Sequence, residues 1–218
     1  MRPTTRRTGC FWAKSPLTTM LTPATKATLR KQTLSLREQI PAKVRAAHNA
    51  AITENLLHLP AYQHAETVLG YMNFGSEYAS ELWVAQVLAD GKRLVLPRVN
   101  RHTNHLDLYL IEDLNTQLAA GLWGIREPVI ERCKRLIDIN EVEFVLLPGI
   151  AFSRDGARLG YGGGFYDKLL APAQVAMQLP ALVAAGFALQ IVQQIPQEET
   201  DVKVQWLVTE KETVNCSA

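Results

Sequence analysis

The residues Arg158 to Asp167, read as Arg-Leu-Gly-Tyr-Gly-Gly-Gly-Phe-Tyr-Asp, place a guanidinium, four glycines, aromatic rings and a carboxylate in one short stretch. Gly160, Gly162, Gly163 and Gly164 carry no side chain to block approach, so their backbone N–H groups can point into one concavity of the kind that suits phosphate oxygens. The following Phe165-Tyr-Asp-Lys-Leu-Leu-Ala segment should start a helix, whose positive end adds to that attraction. The glycines alone are a weak signal. No Gly-Lys-Ser/Thr follows them, and their interval is not that of a dinucleotide fingerprint, so a tight strand-to-helix turn explains them equally well. Their company adds chemistry: Arg158 can pair bidentately with a phosphate, Asp167 can hold a magnesium ion, and Phe165 and Tyr166 offer flat surfaces.

The elements that must position this loop follow from hydrophobic periodicity. A helix is expected from near Thr22-Pro23 through Leu29, Leu34 and Leu36, and a second with Pro41 in its first turn reaches Leu57. Thr67–Met72 reads as a short buried strand, Glu81 to Gly91 as a helix ended by its glycine, and Arg93–Val99 as another strand. Leu106 to Ile111 alternates like a half-buried strand, Phe144 to Gly149 is an apolar run ended by Pro-Gly, and Ala181 to Ala188 is a further apolar segment. This alternation predicts an α/β three-layer sandwich with a mostly parallel open sheet, Rossmann-like, and helices on both faces. In such sheets ligands sit beyond the carboxyl ends of the strands, which is where the glycine loop falls if Phe144–Gly149 is central.

Length and composition narrow the class. A chain of 218 residues fits one domain plus a tail, here a 1–20 extension or leader and a single 21–218 domain. With 47% hydrophobic and 20% charged residues, and no apolar run near the length of a bilayer span, a membrane protein is excluded. A net charge of +2 and a pI near 8.4 are too mild for a nucleic-acid footprint. Cys10, Cys133 and Cys216 are odd in number and lack ligand spacing, which favours a reducing, cytoplasmic compartment over a disulfide framework or zinc site. His48, His58, His64, His102 and His105 are scattered and receive no role. The acid-poor leader with Arg2, Arg6, Arg7 and Lys14 has no secretory h-region. It reads as an extension upstream of a second start at Met20, with an organellar transit peptide as the alternative.

Leu146 to Leu170 is similar to the signature of the 5-formyltetrahydrofolate cyclo-ligase family, also called methenyltetrahydrofolate synthetase, approximately Pro-Gly-x-x-Phe-Asp-x-x-Gly-x-Arg-Leu-Gly-x-Gly-x-Gly-Tyr-Tyr-Asp. The match is long and without gaps. Further similarities run from Lys26 to Glu210: the Lys26 to Gln32 helix, Gly70 to Ser80, Leu96 to Val99, Trp123 to Pro128, and Glu199 to Glu210. Ser153 and Phe165 replace residues that are often Asp and Tyr, and Gln205 stands where many members carry an acid, which puts the metal's outer shell in doubt.

The resemblance implies that ATP and 5-formyltetrahydrofolate give 5,10-methenyltetrahydrofolate, ADP and phosphate, with magnesium as cofactor. It implies ATP binding by Lys26 and Arg30, at i and i+4 on one helix face, where the residues alone would equally suit a solvated face. ATP binding extends over Arg158, Leu159 and Gly160, then Tyr161, Gly162, Gly163 and Gly164, then Phe165 and Tyr166. Arg158 and Tyr166 take catalytic roles, Arg158 against the moving phosphoryl charge and Tyr166 near the formyl group. Asp167 and Asp201 would hold the metal; Met72, Glu77 and Trp123 would bind the folate, Glu77 by accepting pterin N–H groups. Without the resemblance, Arg158 could be in a surface pair with Asp155 or another acid, Asp167 a first-turn helix acid, Asp201 an exposed loop carboxylate, Glu77 an acid at a helix start, and Tyr166 and Trp123 core aromatics. Expected partners are these small molecules, with no nucleic acid or membrane, in a monomer or weak homodimer. Competing readings are a non-catalytic folate or nucleotide binder of the same fold, and an RNA-associated protein using the leader.

Overall fold

The structure is a computed structural model that describes residues 25–121, 124–136, 138–177 and 179–217. The chain enters through α1 (Lys26–Glu38), α2 (Ala42–Leu57) and α3 (Pro60–His64), then β1 (Thr67–Leu69), α4 (Glu81–Ala89), β2 (Arg93–Asn100) and β3 (His105–Ile111). A short α5 (Leu114–Gln117) precedes β4 (Leu118–Ala120), β5 (Arg126–Pro128), β6 (Lys134–Leu136) and β7 (Phe144–Leu147). The hairpin β8 (Ala151–Phe152) and β9 (Arg158–Leu159) leads to α6 (Phe165–Val175), and β10 (Ala181–Ala185), β11 (Trp206–Val208) and β12 (Thr213–Asn215) close the chain.

Local chemistry sets several boundaries. Thr25 caps α1, its hydroxyl accepting from the Thr28 amide at 3.1 Å, so this helix starts at Lys26; Thr22 and Pro23 lie outside the described residues. Pro41 is the cap residue just before α2 rather than part of its first turn, with extended backbone (φ −60°, ψ 144°). β1 ends at Leu69, not Met72: the Gly70 amide still reaches the Val95 carbonyl at 2.9 Å, after which Tyr71 and Met72 turn off the sheet.

Eight strands form one sheet in the order β12-β11-β10-β7-β1-β2-β3-β6. The five from β11 to β2 are parallel, and antiparallel strands β12, β3 and β6 finish the two sides. Alternation along the strands fills a layer on each face. Val68, Leu94, Leu96, Phe144, Leu146 and Val183 join Ile52 and Leu56 of α2 and Trp83, Val84 and Val87 of α4. Leu69, Val95, Val145, Leu147, Leu182 and Ala184 join Leu170 and Ala173 of α6. Strands buried on both faces read as continuous apolar runs, as Phe144–Leu147 does. Each such side chain contributes roughly 1.5–3 kcal/mol by leaving water.

A third, smaller cluster positions the site. Leu29 of α1 packs on Ala151, Ala157, Leu159 and Ile195, holding α1 across the β8–β9 hairpin. Leu29 and Leu159 are buried, so Lys26 and Arg30 are carried to the side where the glycine loop emerges. Among the described residues no helix is long and apolar enough to cross a membrane.

Candidate functional site

A cavity of about 1060 Å³ opens beyond the carboxyl ends of the central strands. Its walls come from α1, the segment after β1, the distal half of β2, the run from β9 into α6, and residues 198–201. The glycine loop turns into α6 through Gly162 (φ 107°) and Gly164 (φ 63°), left-handed conformations that side chains resist. From Gly160 to Asp167, no amide donates to an acceptor among the described residues. A row of N–H groups without an acceptor among the described residues, at the positive end of an eleven-residue helix, is an arrangement that can receive an anion.

Cations and carboxylates gather at this end. Arg158, with a side chain only 6% exposed, donates through Nη2 to Asp167 Oδ1 at 3.0 Å and through Nη1 to the Pro148 carbonyl at 3.1 Å. Its guanidinium lies 5.9 Å from the centre of the Tyr166 ring. Asp155 bonds Lys203 instead of Arg158, and the acid that pairs with Arg158 is Asp167, with the guanidinium buried rather than on the surface. Lys26 Nζ reaches Asp201 at 2.8 Å and Glu198 at 2.9 Å; burial works against its charge, but the two carboxylates outweigh that and hold its pKa above the usual lysine value. Burial alone would raise Asp201, yet Lys26 and the Glu198 amide leave it below the usual carboxylate value. Arg30 Nε donates to the Gly160 carbonyl at 2.8 Å and steadies the loop.

The donor set suits magnesium. Asp167 spends Oδ1 on Arg158 and on the Val202 amide at 3.3 Å, and Asp201 spends Oδ2 on Lys26 and the Glu198 amide. Among the described residues, Oδ2 of Asp167 and Oδ1 of Asp201 accept nothing, leaving one unused oxygen on each of two carboxylates that line the same cavity. No cluster of three or more His, Cys, Asp or Glu converges among the described residues. Magnesium is commonly held by one or two carboxylates together with substrate phosphates rather than by an all-protein cage, and the pair fits that manner of binding.

The opposite wall is aromatic around one buried acid. Glu77 is 6% exposed and accepts from the Phe74 amide at 2.7 Å. It lies four residues before α4, so it is not an acid of that helix's first turn. Burial raises its pKa, opposed by the Phe74 amide, the Tyr161 hydroxyl and the Arg37 charge. Phe74 and Tyr161 meet edge to face at 6.3 Å, and Tyr71 and Met72 complete the wall. Tyr166, half-buried, lines the cavity between the two ends, near Arg158 on one side and within the field of Glu77 on the other; burial raises its pKa.

Lys26, Arg30, Met72, Glu77, Asp167, Asp201 and the whole Arg158–Tyr166 run therefore line one cavity. Trp123 lies outside the described residues. Gln205 is not among the residues that line the cavity: its side chain accepts from the Leu182 amide at 3.2 Å and ties down a strand. Ser153 is buried and bonds Asp155. The sequence reading missed Tyr71, Glu198 and Arg37. Arg37 had a signal, since Lys26, Arg30, Thr33 and Arg37 follow i, i+4, i+7 and i+11 on one helix face.

Comparison with known proteins identifies the family and the fold. A sequence model of the 5-formyltetrahydrofolate cyclo-ligase family matches residues 22–210. The Mycolicibacterium smegmatis protein named 5-formyltetrahydrofolate cyclo-ligase is 31% identical over 193 residues, 88% of this chain and 96% of that one. The Haemophilus influenzae protein of the same name is 27% identical over 174 residues, 80% of this chain and 91% of its own. The NMR structure of Aquifex aeolicus 5,10-methenyltetrahydrofolate synthetase superposes with a TM-score of 0.75 at 30% identity, covering 88% of this chain and 93% of that one.

Proposed function

The chain belongs to the 5-formyltetrahydrofolate cyclo-ligase family, and from that premise we propose that it converts 5-formyltetrahydrofolate and ATP to 5,10-methenyltetrahydrofolate, ADP and inorganic phosphate. The observation that carries this reading is one cavity with two unlike ends: free loop amides among cations at one, a buried carboxylate among aromatic rings at the other.

In this reaction the formyl oxygen attacks the γ-phosphorus of ATP and ADP leaves. The folate nitrogen at position 10 then adds to the activated formyl carbon, and the C–O bond breaks as phosphate departs and the ring closes. Transfer of this kind needs positioning and charge neutralisation more than covalent catalysis by the protein, and the wall supplies both. The amides from Gly160 to Gly164 hold phosphate oxygens, with Lys26 and Arg30 beside them. Arg158, fixed by Pro148 and Asp167, meets the charge that builds on the moving phosphoryl group. Tyr166 stands between the ends, where it orients the formyl group, and Glu77 accepts N–H groups from the pterin, with Met72 against the ring. Asp167 and Asp201 would hold magnesium, which supplies charge neutralisation across the phosphates.

Incubating the purified chain with 5-formyltetrahydrofolate and MgATP should generate the absorbance of the methenyl product together with one ADP per turnover. Tight folate binding by the folded protein with no ADP release would refute the ligase and leave a binder.

A further inference from the structure

Arg37 is the odd residue of the first helix. It is 2% exposed and does not itself line the cavity. Its Nη2 donates to the Tyr161 hydroxyl at 2.9 Å and its Nε to Ser76 Oγ at 3.0 Å, while Nη1 is buried with no acceptor among the described residues. A guanidinium with an unpaired N–H is an expensive way to stabilise a helix, because removing that charge from water costs more than two such bonds to neutral hydroxyls return. What it does accomplish is a junction. One side chain on α1 joins the segment carrying Glu77, through Ser76, to the glycine loop, through Tyr161.

The groups facing Glu77 are Arg37 from α1, Tyr161 from the loop, Tyr71 from the end of β1 and Tyr166 from α6; of these only Arg37 is charged at neutral pH. The Tyr161 hydroxyl accepts from Arg37 and keeps its own proton to donate, and its influence on the Glu77 carboxylate, like that of the Arg37 charge, is to favour the anion. Burial and the charge of Glu77 push the Tyr161 hydroxyl up to about 12, so it keeps that proton through the neutral range.

We propose that Arg37 is a positioning residue for the folate end of the site: acting through Tyr161 and Ser76, it holds the Glu77 carboxylate in place and in its acceptor form. This rests on the cyclo-ligase reading and assigns the Tyr161 hydroxyl to the folate side, although the loop that carries it serves the phosphates. Glu77 offers both oxygens to N–H donors only as an anion, so the acid limb of kcat/KM for the folate reports its protonation. Removing the Arg37 charge destabilises the anion, and the limb moves to higher pH.

The experiment compares wild type, Arg37→Met, Arg37→Lys and Tyr161→Phe by initial rates of methenyl formation across pH, varying each substrate in turn, with thermal melts alongside. Arg37→Met and Tyr161→Phe should each raise the folate KM about tenfold, as expected for loss of a hydrogen bond within a charged group's network, and leave the ATP KM within about twofold. Both should displace the acid limb upward, and Arg37→Lys should restore most of that displacement. Tyr161→Phe keeps the ring on an exposed wall and tests the idea even if Arg37→Met fails to fold. Wild-type folate KM and an unmoved acid limb in Tyr161→Phe, or a rise confined to the ATP KM, would overturn the proposal. An inactive wild type would instead refute the ligase reading on which it stands.

Discussion

Replacing Arg158 by lysine keeps a positive charge and removes the fork. The guanidinium reaches the Asp167 carboxylate and the Pro148 carbonyl at once and lies against Tyr166; an ammonium on a single stem can keep one of those two bonds. A hydrogen bond from a charged donor contributes about 1.5–3 kcal/mol, and the loss of one donor aimed at a developing charge costs about 2.7–4 kcal/mol. At about 1.4 kcal/mol per factor of ten, Arg158→Lys should lower kcat by roughly 10²–10³-fold, and Arg158→Ala by at least as much. Stability should change less. Asp167 is 21% exposed, so water takes over part of the lost interaction, and a change of about 1 kcal/mol moves Tm only about 2–4 °C for a chain of this size. The assay is the initial rate of methenyl absorbance at saturating MgATP and folate, with a thermal melt on the same preparation. A folded Arg158→Lys enzyme whose kcat stays within about threefold of wild type would refute the role given to the guanidinium.

Other expectations follow from the same contacts. Asp167→Asn should abolish turnover at ordinary magnesium while the protein still melts cooperatively; full activity at unchanged magnesium requirement would remove Asp167 from the metal's ligands. The Lys26–Asp201 pair gives a pH test. Asp201 has a lowered folded pKa, so its contribution is complete above the usual carboxylate value of about 4 and is lost as pH falls through the lower folded value. The difference in Tm between wild type and Asp201→Asn should therefore be present at pH 6 and shrink below about pH 4; a difference that grows on acidification would contradict this sign. Phe144 is fully buried and meets Tyr62 at 5.9 Å and Trp83 at 5.7 Å, so Phe144→Ala should cost about 3–5 kcal/mol in a denaturant titration, and a loss under about 1 kcal/mol would mean the layer can collapse around the gap.

Local and periodic features were legible in the sequence. Continuous apolar runs at Thr67–Leu69, Phe144–Leu147 and Ala181–Ala185 specify strands covered on both sides, because period-two alternation must fill a layer on each face. The glycines fix a left-handed entry into a helix, and Lys26 and Arg30 share a face by helical geometry alone. Partners distant along the chain were not legible. Lys26 meets Asp201 across 175 positions, Arg37 meets Tyr161 across 124, and Arg158 chooses Asp167 over the nearer Asp155. Those choices depend on α1 lying across the β8–β9 hairpin through Leu29 and Leu159, an apolar contact that carries no preference for any particular charge. Side-chain identity determined which groups could act, and packing of the elements determined which of them meet. The burial that raises the Glu77 pKa, and the contact that makes Gln205 a strand tie, exist only once the sheet and its helices have closed around them.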